Sequence, residues 1–441
     1  MLKRKITDQL IEWKNDPRKK ALLVRGARQV GKTYSIGDFA KKNYSSYIYI
    51  NFEKNSKYAS IFAEDRDVDT ITQKMSLFFP DAKFIPGDTL IFLDEIQNCP
   101  DARTSFKFFT MDGRYDVIGS GSLMGVRYKE VSSYPAGYED VIDMHSLDFE
   151  EFLWAMGVRE DIIEDVRNSL AEKRPMDKLF LETFNEYFRW HMIVGGMPEA
   201  VEIFKETKHF GNVMKVQKRI LDAYLDDVMK YAPDREKNRV IASFHSIPGQ
   251  LAKSNKKFMF AKVEGKAGNG YDTYGNSLLW LKEAGVVTFC YNLHEPVLPL
   301  ASNRKNNAFK VYMRDTGLLT AMMERGVAEA ILQKDLEINE GAVMENIVAD
   351  MLTKEGYDMF YFETKGTLEI DFILNLNGLA AAIEVKSGNN KQSKSLGSLM
   401  SDKYKVRRGI KLQNNNTFVD GGGVEHYPIF AAAFMRSMNE R

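Results

Sequence analysis

Three groups of residues in this 441-residue chain have the types and spacing that do chemistry. The first is GARQVGKT, residues 26–33. Gly26 and Gly31 bracket four residues and are followed by Lys32 and Thr33, the spacing of a loop whose backbone N–H groups turn inward around phosphates. Gly26, Ala27, Arg28, Gln29, Val30, Gly31, Lys32 and Thr33 are therefore candidate nucleotide ligands. Lys32 would reach the β- and γ-phosphates, and the Thr33 hydroxyl would ligate Mg²⁺. The bland alternative is a chance glycine-rich turn. The second group ends TLIFLDE, residues 89–95, where an uncharged run stops at two carboxylates. Asp94 is expected to hold Mg²⁺ directly or through water, and Glu95 to orient and activate an attacking water; Asp94 could instead cap a helix. After YDVI (115–118) comes GSGS, whose Ser120 is either a γ-phosphate sensor or a turn residue.

The third group lies in IDFILNLNGLAAAIEVKSG, residues 370–388. Asn377-Gly378 predicts a type I′ hairpin turn. Residues equidistant from it then face each other, Asp371 against Glu384 and Glu369 against Lys386, with all four side chains on one face of the sheet. Two carboxylates placed opposite each other destabilise a sheet unless a cation or a proton sits between them. A divalent metal would resolve the conflict, and Lys386 would hold a phosphate or polarise a water. The alternative is a surface ion pair of Glu369 with Lys386 and a hydrated Asp371.

These groups need elements to position them. ALLV (21–24), the phosphate loop and YSIGDFAKK read as strand, loop and helix. TLIFL reads as a buried parallel strand whose C-terminal end carries the acids, the end at which open α/β sheets place their ligands. Residues 147–232 have apolar positions at helical spacing (Phe149, Phe152, Leu153 and Met156; Ile220, Tyr224 and Val228), broken by GGMP at 195–198. Two further helical patterns and a β-like run follow from 238, the order of a winged helix. Between them KSNKKFMFAKVEGK (253–266) interleaves lysines with Phe258 and Phe260, either a track for a phosphate backbone or a solvated loop. Lys391, Lys394, Lys403, Lys405, Arg407, Arg408 and Lys411 form a later basic run open to the same two readings. The expected domains are 1–146, 147–232, 233–328 and 329–441.

Composition bounds the rest. Apolar residues at 44% and charged residues at 28% describe a soluble globular protein of several domains. A formal net charge of zero argues against a surface given over wholly to nucleic acid. Cys99 and Cys290 fit neither a disulfide framework nor a metal knuckle, so a reducing cytoplasm is expected. No run is long enough to span a membrane, so neither export nor insertion is expected.

The motifs RGARQVGKT (25–33), INFE (50–53), FLDEIQ (92–97), GSGS (119–122), SLDFEEFL (146–153) and GGMPEAV (195–201) resemble the AAA+ ATPases. The resemblance is to a prokaryotic branch that fuses this module to a C-terminal domain of unknown function. It implies a parallel sheet with strands in the order 5-1-4-3-2, ATP and Mg²⁺ as ligands, a helical lid over 147–232 and a winged-helix-like middle domain that FKVYMRDTGLL (309–319) closes. It also implies an arginine finger, which the sequence does not assign: Arg103, Arg114 and Arg127 all follow the acidic strand, and none sits in a motif that selects it. Asp371 followed by Glu384-x-Lys386 resembles the PD-(D/E)xK nucleases, in which an acid on a preceding helix completes the set. GAVMENIVADML (341–352) offers Glu345 there, and a second divalent metal is implied. The fold class expected is thus α/β, an AAA+ parallel sheet domain, a lid, a winged-helix-like domain and a nuclease-like α/β domain. ATP is the expected ligand; DNA or RNA, a protein partner and a homo-oligomer stay open.

Overall fold

A computed structural model describes residues 2–122, 137–253, 256–263, 270–324, 326–333, 340–364, 368–386, 394–401, 404 and 406–439. The chain divides into two compact units, one of Lys3–Ser146 with Glu283–Gly285, the other of Leu147–Lys282 with Val286–Arg441.

The first unit is built on five parallel strands, β1 (Ala21–Gly26), β2 (Ser46–Asn51), β3 (Thr89–Asp94), β4 (Asp116–Ser122) and β5 (Glu139–Asp143), in the order β2-β3-β4-β1-β5. This is the order that the motifs imply. Every residue of β3 is buried, as a central parallel strand covered on both faces requires. The apolar side chains of the sheet divide between two clusters, one around Leu23, Ile50, Ile91 and Phe106, the other around Leu22, Ile36, Phe39 and Phe92. Alternation along each strand sends neighbouring residues to opposite faces. The helix Lys32–Asn43 begins directly after Gly31, whose φ of 98° lies in the left-handed region that glycine reaches without strain.

The second unit contains an eight-stranded mixed sheet. Its strands are β6 (Val287–Leu293), β7 (Arg304–Met313), β8 (Phe360–Thr364), β9 (Leu368–Leu376), β10 (Leu379–Lys386), β11 (Arg408–Gln413), β12 (Phe418–Val419) and β13 (Glu425–Pro428), in the order β12-β13-β11-β10-β9-β8-β6-β7. The expected boundary at 328 falls inside this sheet. The ribbon β6–β7, read from sequence as the wing of a separate domain, hydrogen-bonds on through β6 into β8, with Tyr291 beside Phe360. A ribbon with one open edge lowers its free energy by continuing a neighbouring sheet.

The helices after Leu147 are Phe149–Ala155, Glu160–Ala171, Lys178–Val194, Pro198–Thr207 and Phe210–Tyr231. Asp148 and Glu151 start the first with a reciprocal capping box. GGMP is a fixed turn for a steric reason. A Cβ on Gly196 would lie 2.0 Å from the Leu147 carbonyl oxygen, and the Gly196 N–H donates to Asp315 Oδ2 at 2.9 Å. The GGMP and RDTG motifs, 119 residues apart in sequence, are therefore one joint. Among the described residues no helix is long and apolar enough to cross a membrane.

Candidate nucleotide site and C-terminal carboxylate cluster

In the first unit, β1 delivers Gly26 to the C-terminal end of the sheet, the loop 27–31 turns, and the following helix opens with Lys32 and Thr33. The Lys32 ammonium donates to the carbonyls of Gly26 at 3.0 Å and Ala27 at 2.9 Å, so it lies across its own loop. Gln29 has a φ of 64°, and the Val30 carbonyl accepts from Arg4 at 2.9 Å, which ties the loop to the N-terminal segment. Arg28 belongs to the same turn. The next strand but one, β3, brings Asp94 to the same end. Thr33 Oγ1 donates to Asp94 Oδ2 at 3.0 Å, as do Tyr49 at 2.8 Å and Asn51 at 3.0 Å, both from β2. Asp94 Oδ1 accepts from the Ser120 hydroxyl and from the Glu95 N–H at 3.1 Å.

Asp94 therefore caps no helix; its partners converge on it from β2, β4, the adjoining Glu95 and the first turn of the helix Lys32–Asn43. Ser120 lies inside β4, not in a turn, and its hydroxyl is spent on Asp94. Glu95 has a φ of 53°, a left-handed conformation uncommon for a residue with a side chain and frequent at functional sites. Its carboxyl is pushed above the usual range by burial, with the Asp94 charge adding and the Gln97 amide opposing. A hydroxyl beside a carboxylate is a donor set that fits Mg²⁺. Thr33 and Asp94 would hold it, with Lys32 on the phosphates.

Two arginine-finger candidates are engaged elsewhere. Arg103 is 3% exposed and forms a two-pronged ion pair with Glu139 at 2.6 and 3.1 Å. Arg114 pairs with Asp112 and Asp69, each at 2.7 Å. Arg127 lies outside the described residues.

In the second unit, Asn377 and Gly378 both have positive φ, 52° and 80°, the type I′ signature. The ladder runs from Leu379–Leu376 to Ile383–Phe372 in the predicted register, so Asp371 and Glu384 follow on one face. The helix Glu340–Lys354 supplies Glu345, and a cavity of 280 Å³ is lined by Lys256, Glu345, Glu369, Asp371, Glu384 and Lys386. All four residues predicted for this site are brought together. The ion pairing differs from the one predicted. Lys386 bonds Glu384 at 2.9 Å, and Glu369 meets Lys310 at 3.3 Å.

Lys310, from β7, is 1% exposed and also donates to Glu345 Oε1 at 2.8 Å; Tyr312 donates to the same oxygen, and Lys256 to Oε2. Burial pushes the Glu345 carboxyl up, but Lys310 and Lys256 outweigh it and hold it down at about 2. Asp371 accepts from the Val385 N–H at 2.8 Å and is pushed up to about 6 by burial and by Glu345, against the pull of Lys310. These residues do not fit a resident divalent cation, because both Glu345 oxygens are committed to ammonium and hydroxyl donors and one Glu369 oxygen is turned to Lys310. Glu384 Oε2, buried and without a hydrogen-bond partner among the described residues, and Asp371 remain. Two carboxylates are a foothold for Mg²⁺ that a substrate phosphate would have to complete. Among the described residues no three His, Cys, Asp or Glu side chains form a metal-ligand set.

The segment 253–266 is neither of its two readings where described. Lys256 and Lys257 pair with Glu345 and Glu363, and Phe258 and Phe260 pack on Phe309. In the later basic run Lys391, Lys403, Lys405 and the Lys394 side chain lie outside the described residues, and Arg408 is bound to Glu425 at 2.8 Å.

Residues 18–153 match the family of the AAA domain. They form an AAA-type P-loop ATPase domain. Residues 185–329 and 340–430 match two families described only as domains of unknown function, DUF8612 and DUF4143. No curated protein matches the chain. Among solved structures, a Walker-type ATPase of Pyrococcus abyssi is similar at 14% identity and a TM-score of 0.43, over 73% of this chain and 96% of that one. The Aeropyrum pernix ORC1 protein in complex with DNA follows at 12% identity and 0.30 (76% and 93%), and the Drosophila ORC bound to DNA at 14% and 0.29 (69% and 90%). The assignment rests on the family match and the sheet order, not on these distant likenesses.

The AAA domain holds residues at the candidate site that sequence reasoning missed. Tyr49 and Arg4 carried no signal, while Asn51 lay in the INFE motif without a role. Lys310 was visible as the lysine of FKVYM, a lone charge in an apolar run, which is the signal of a buried partner.

Proposed function

We propose that the protein is a Mg²⁺-dependent ATPase that couples its nucleotide state to a C-terminal module with a nuclease-like fold, one that binds nucleic acid rather than cutting it. The observation that carries the ATPase reading is the contact of Thr33 with Asp94 beside the Lys32 loop. The loop N–H groups and the helix N-terminus bind phosphate oxygens. Lys32 leaves the Gly26 and Ala27 carbonyls for the β- and γ-phosphates. Thr33 and Asp94 would hold the metal ion, which would neutralise phosphate charge when bound. Glu95, whose raised pKa suits a base, orients the water and takes its proton. Ser120, Tyr49 and Asn51 fix the Asp94 carboxylate. ATP turnover by the purified chain tests this; turnover unchanged by Lys32→Ala would defeat it.

For the C-terminal unit, the hairpin register and the arrival of Glu345 support a nuclease-like fold. The placement of Lys310 between Glu345 and Glu369 favours binding over cleavage. Lys386, 38% exposed at the cavity, is where a phosphate oxygen would meet the protein. DNA and RNA cleavage with Mg²⁺ or Mn²⁺ should be absent from wild type. Cleavage that is lost in both Asp371→Ala and Lys386→Ala would show that the module cuts.

A further inference from the structure

The carboxylate cluster of the second unit has a feature that neither nucleotide chemistry nor a nuclease fold requires. A lysine from a distant strand is driven into its centre. Lys310 sits on β7, at the far edge of the sheet from the β11–β13 strands, and is buried to 1%. A long, strongly hydrated ammonium is almost never buried without partners. Here the partners are the carboxylates of the pocket, Glu345 at 2.8 Å and Glu369 at 3.3 Å. Burial alone would depress the lysine's pKa, but the charges of Glu345, Asp371 and Glu369 raise it above normal instead, so it stays charged.

The position is held from several sides. The backbone of Phe309 accepts the Phe258 N–H at 2.9 Å, and Lys257 forms an isolated bridge with Lys310 itself. Asn346, one residue beyond Glu345, bonds Met313 on both sides of its peptide, at 2.8 and 3.1 Å, and so locks the end of β7 to the helix that bears Glu345. Strand and helix cannot slide apart without breaking these bonds. Lys310 is therefore a fixed charge and not a side chain that swings out to solvent.

We infer that Lys310 is the resident cation of this cluster, standing among Glu345, Glu369 and Asp371 where a carboxylate-bound divalent ion would otherwise stand. The pocket assembles without metal because the chain supplies the positive charge. Removing that charge leaves buried carboxylates uncompensated, and a divalent cation becomes the means of compensating them.

Mn²⁺ titration of the nucleotide-free full chain, followed by the paramagnetic resonance of the free ion, tests this in an Asp94→Asn background that silences the AAA domain. The parent is expected to show no Mn²⁺ site that depends on Asp371. Adding Lys310→Ala should create one site per chain, at least about tenfold tighter than any in the parent, as removal of one partner from a buried ion pair implies. Adding Asp371→Asn should remove it, and Lys310→Arg, which keeps the charge, should not create it. A parent site abolished by Asp371→Asn overturns the inference, and that measurement does not depend on the Lys310 variants folding. A folded Lys310→Ala chain that gains no site also overturns it, as does a Lys310→Arg chain that gains the same site.

Discussion

Both units gather carboxylates at one face or end of a sheet, but they feed them with different donors. Asp94 of the AAA domain receives hydrogen bonds from a threonine, a tyrosine, an asparagine and a serine, all neutral. Glu345 receives two lysine ammoniums and a tyrosine. Neutral donors orient a carboxylate without bringing a counter-charge to it, so the donors around Asp94 leave room for a cation. Ammoniums bring the counter-charge with them. The same residue type is in one place prepared for a metal ion and in the other already supplied with a counter-charge, and the difference lies in the partners, not in the acids.

The comparison breaks first at the AAA domain. Lys32→Ala should lower ATP turnover by about a thousandfold, roughly 4 kcal/mol, because a charge aimed at the transferred phosphoryl group is lost from a preorganised site. Melting should be little changed, since Lys32 lies along its own loop and donates to the Gly26 and Ala27 carbonyls. Turnover within tenfold of wild type would mean that the loop does not hold the reacting phosphates.

At the other cluster the main effect should fall on stability. Lys310→Met keeps the volume and removes the charge, leaving Glu345 with less than its full set of donors, at a cost of about 3 kcal/mol. Urea unfolding of the full chain reads it, as the transition of the second unit. A loss under about 1 kcal/mol would mean that the pair is no stronger than a surface one.

Asp371 sharpens the contrast through pH. Folding raises its pKa from 3.8 to about 6, so between those values the native chain holds a proton that the unfolded chain has released. Stability from this group is therefore undiminished below about pH 4, falls as the pH rises, and is fully lost above about pH 6. Asp371→Asn should stabilise the chain at pH 7 by about 2 kcal/mol, a value reduced from the full shift because the residue is only partly buried. The gain should vanish at pH 4. A gain that is the same at both pH values would assign the effect to packing.

Much of this was legible in the sequence where chemistry depends on neighbours along the chain. The phosphate loop is eight consecutive residues, and the β10 register follows from one Asn-Gly turn, so both could be read locally. The donors to Asp94 were partly hidden because Tyr49 and Ser120 come from strands on either side of β3, and parallel pairing leaves no trace of register in sequence. Lys310 and Glu345 are 35 residues apart on a strand and a helix. Only the fold brings them together, and the pairing that a hairpin alone suggests, Glu369 with Lys386, gives way to it. The pairing of the β6–β7 ribbon with β8 was hidden for a similar reason. A two-stranded ribbon looks the same in sequence whether it stands alone or extends a sheet formed by residues that come later.

The smallest effect tests whether the neutral donors matter at all. Ser120 is fully buried and its hydroxyl has Asp94 Oδ1 as its acceptor. Ser120→Ala removes one donor of five from Asp94 and leaves the carboxylate charged. A hydrogen bond from a neutral hydroxyl to a carboxylate contributes about 1.5 kcal/mol. Turnover should therefore fall by roughly tenfold, with the apparent affinity for Mg²⁺ unchanged or slightly higher, because a carboxylate with one fewer donor has more charge to offer the ion. Ser120→Cys, a weaker donor, should fall between the two. If instead Ser120→Ala costs as much as Lys32→Ala, the hydroxyl touches the γ-phosphate during the reaction, and the contact with Asp94 is only its resting position.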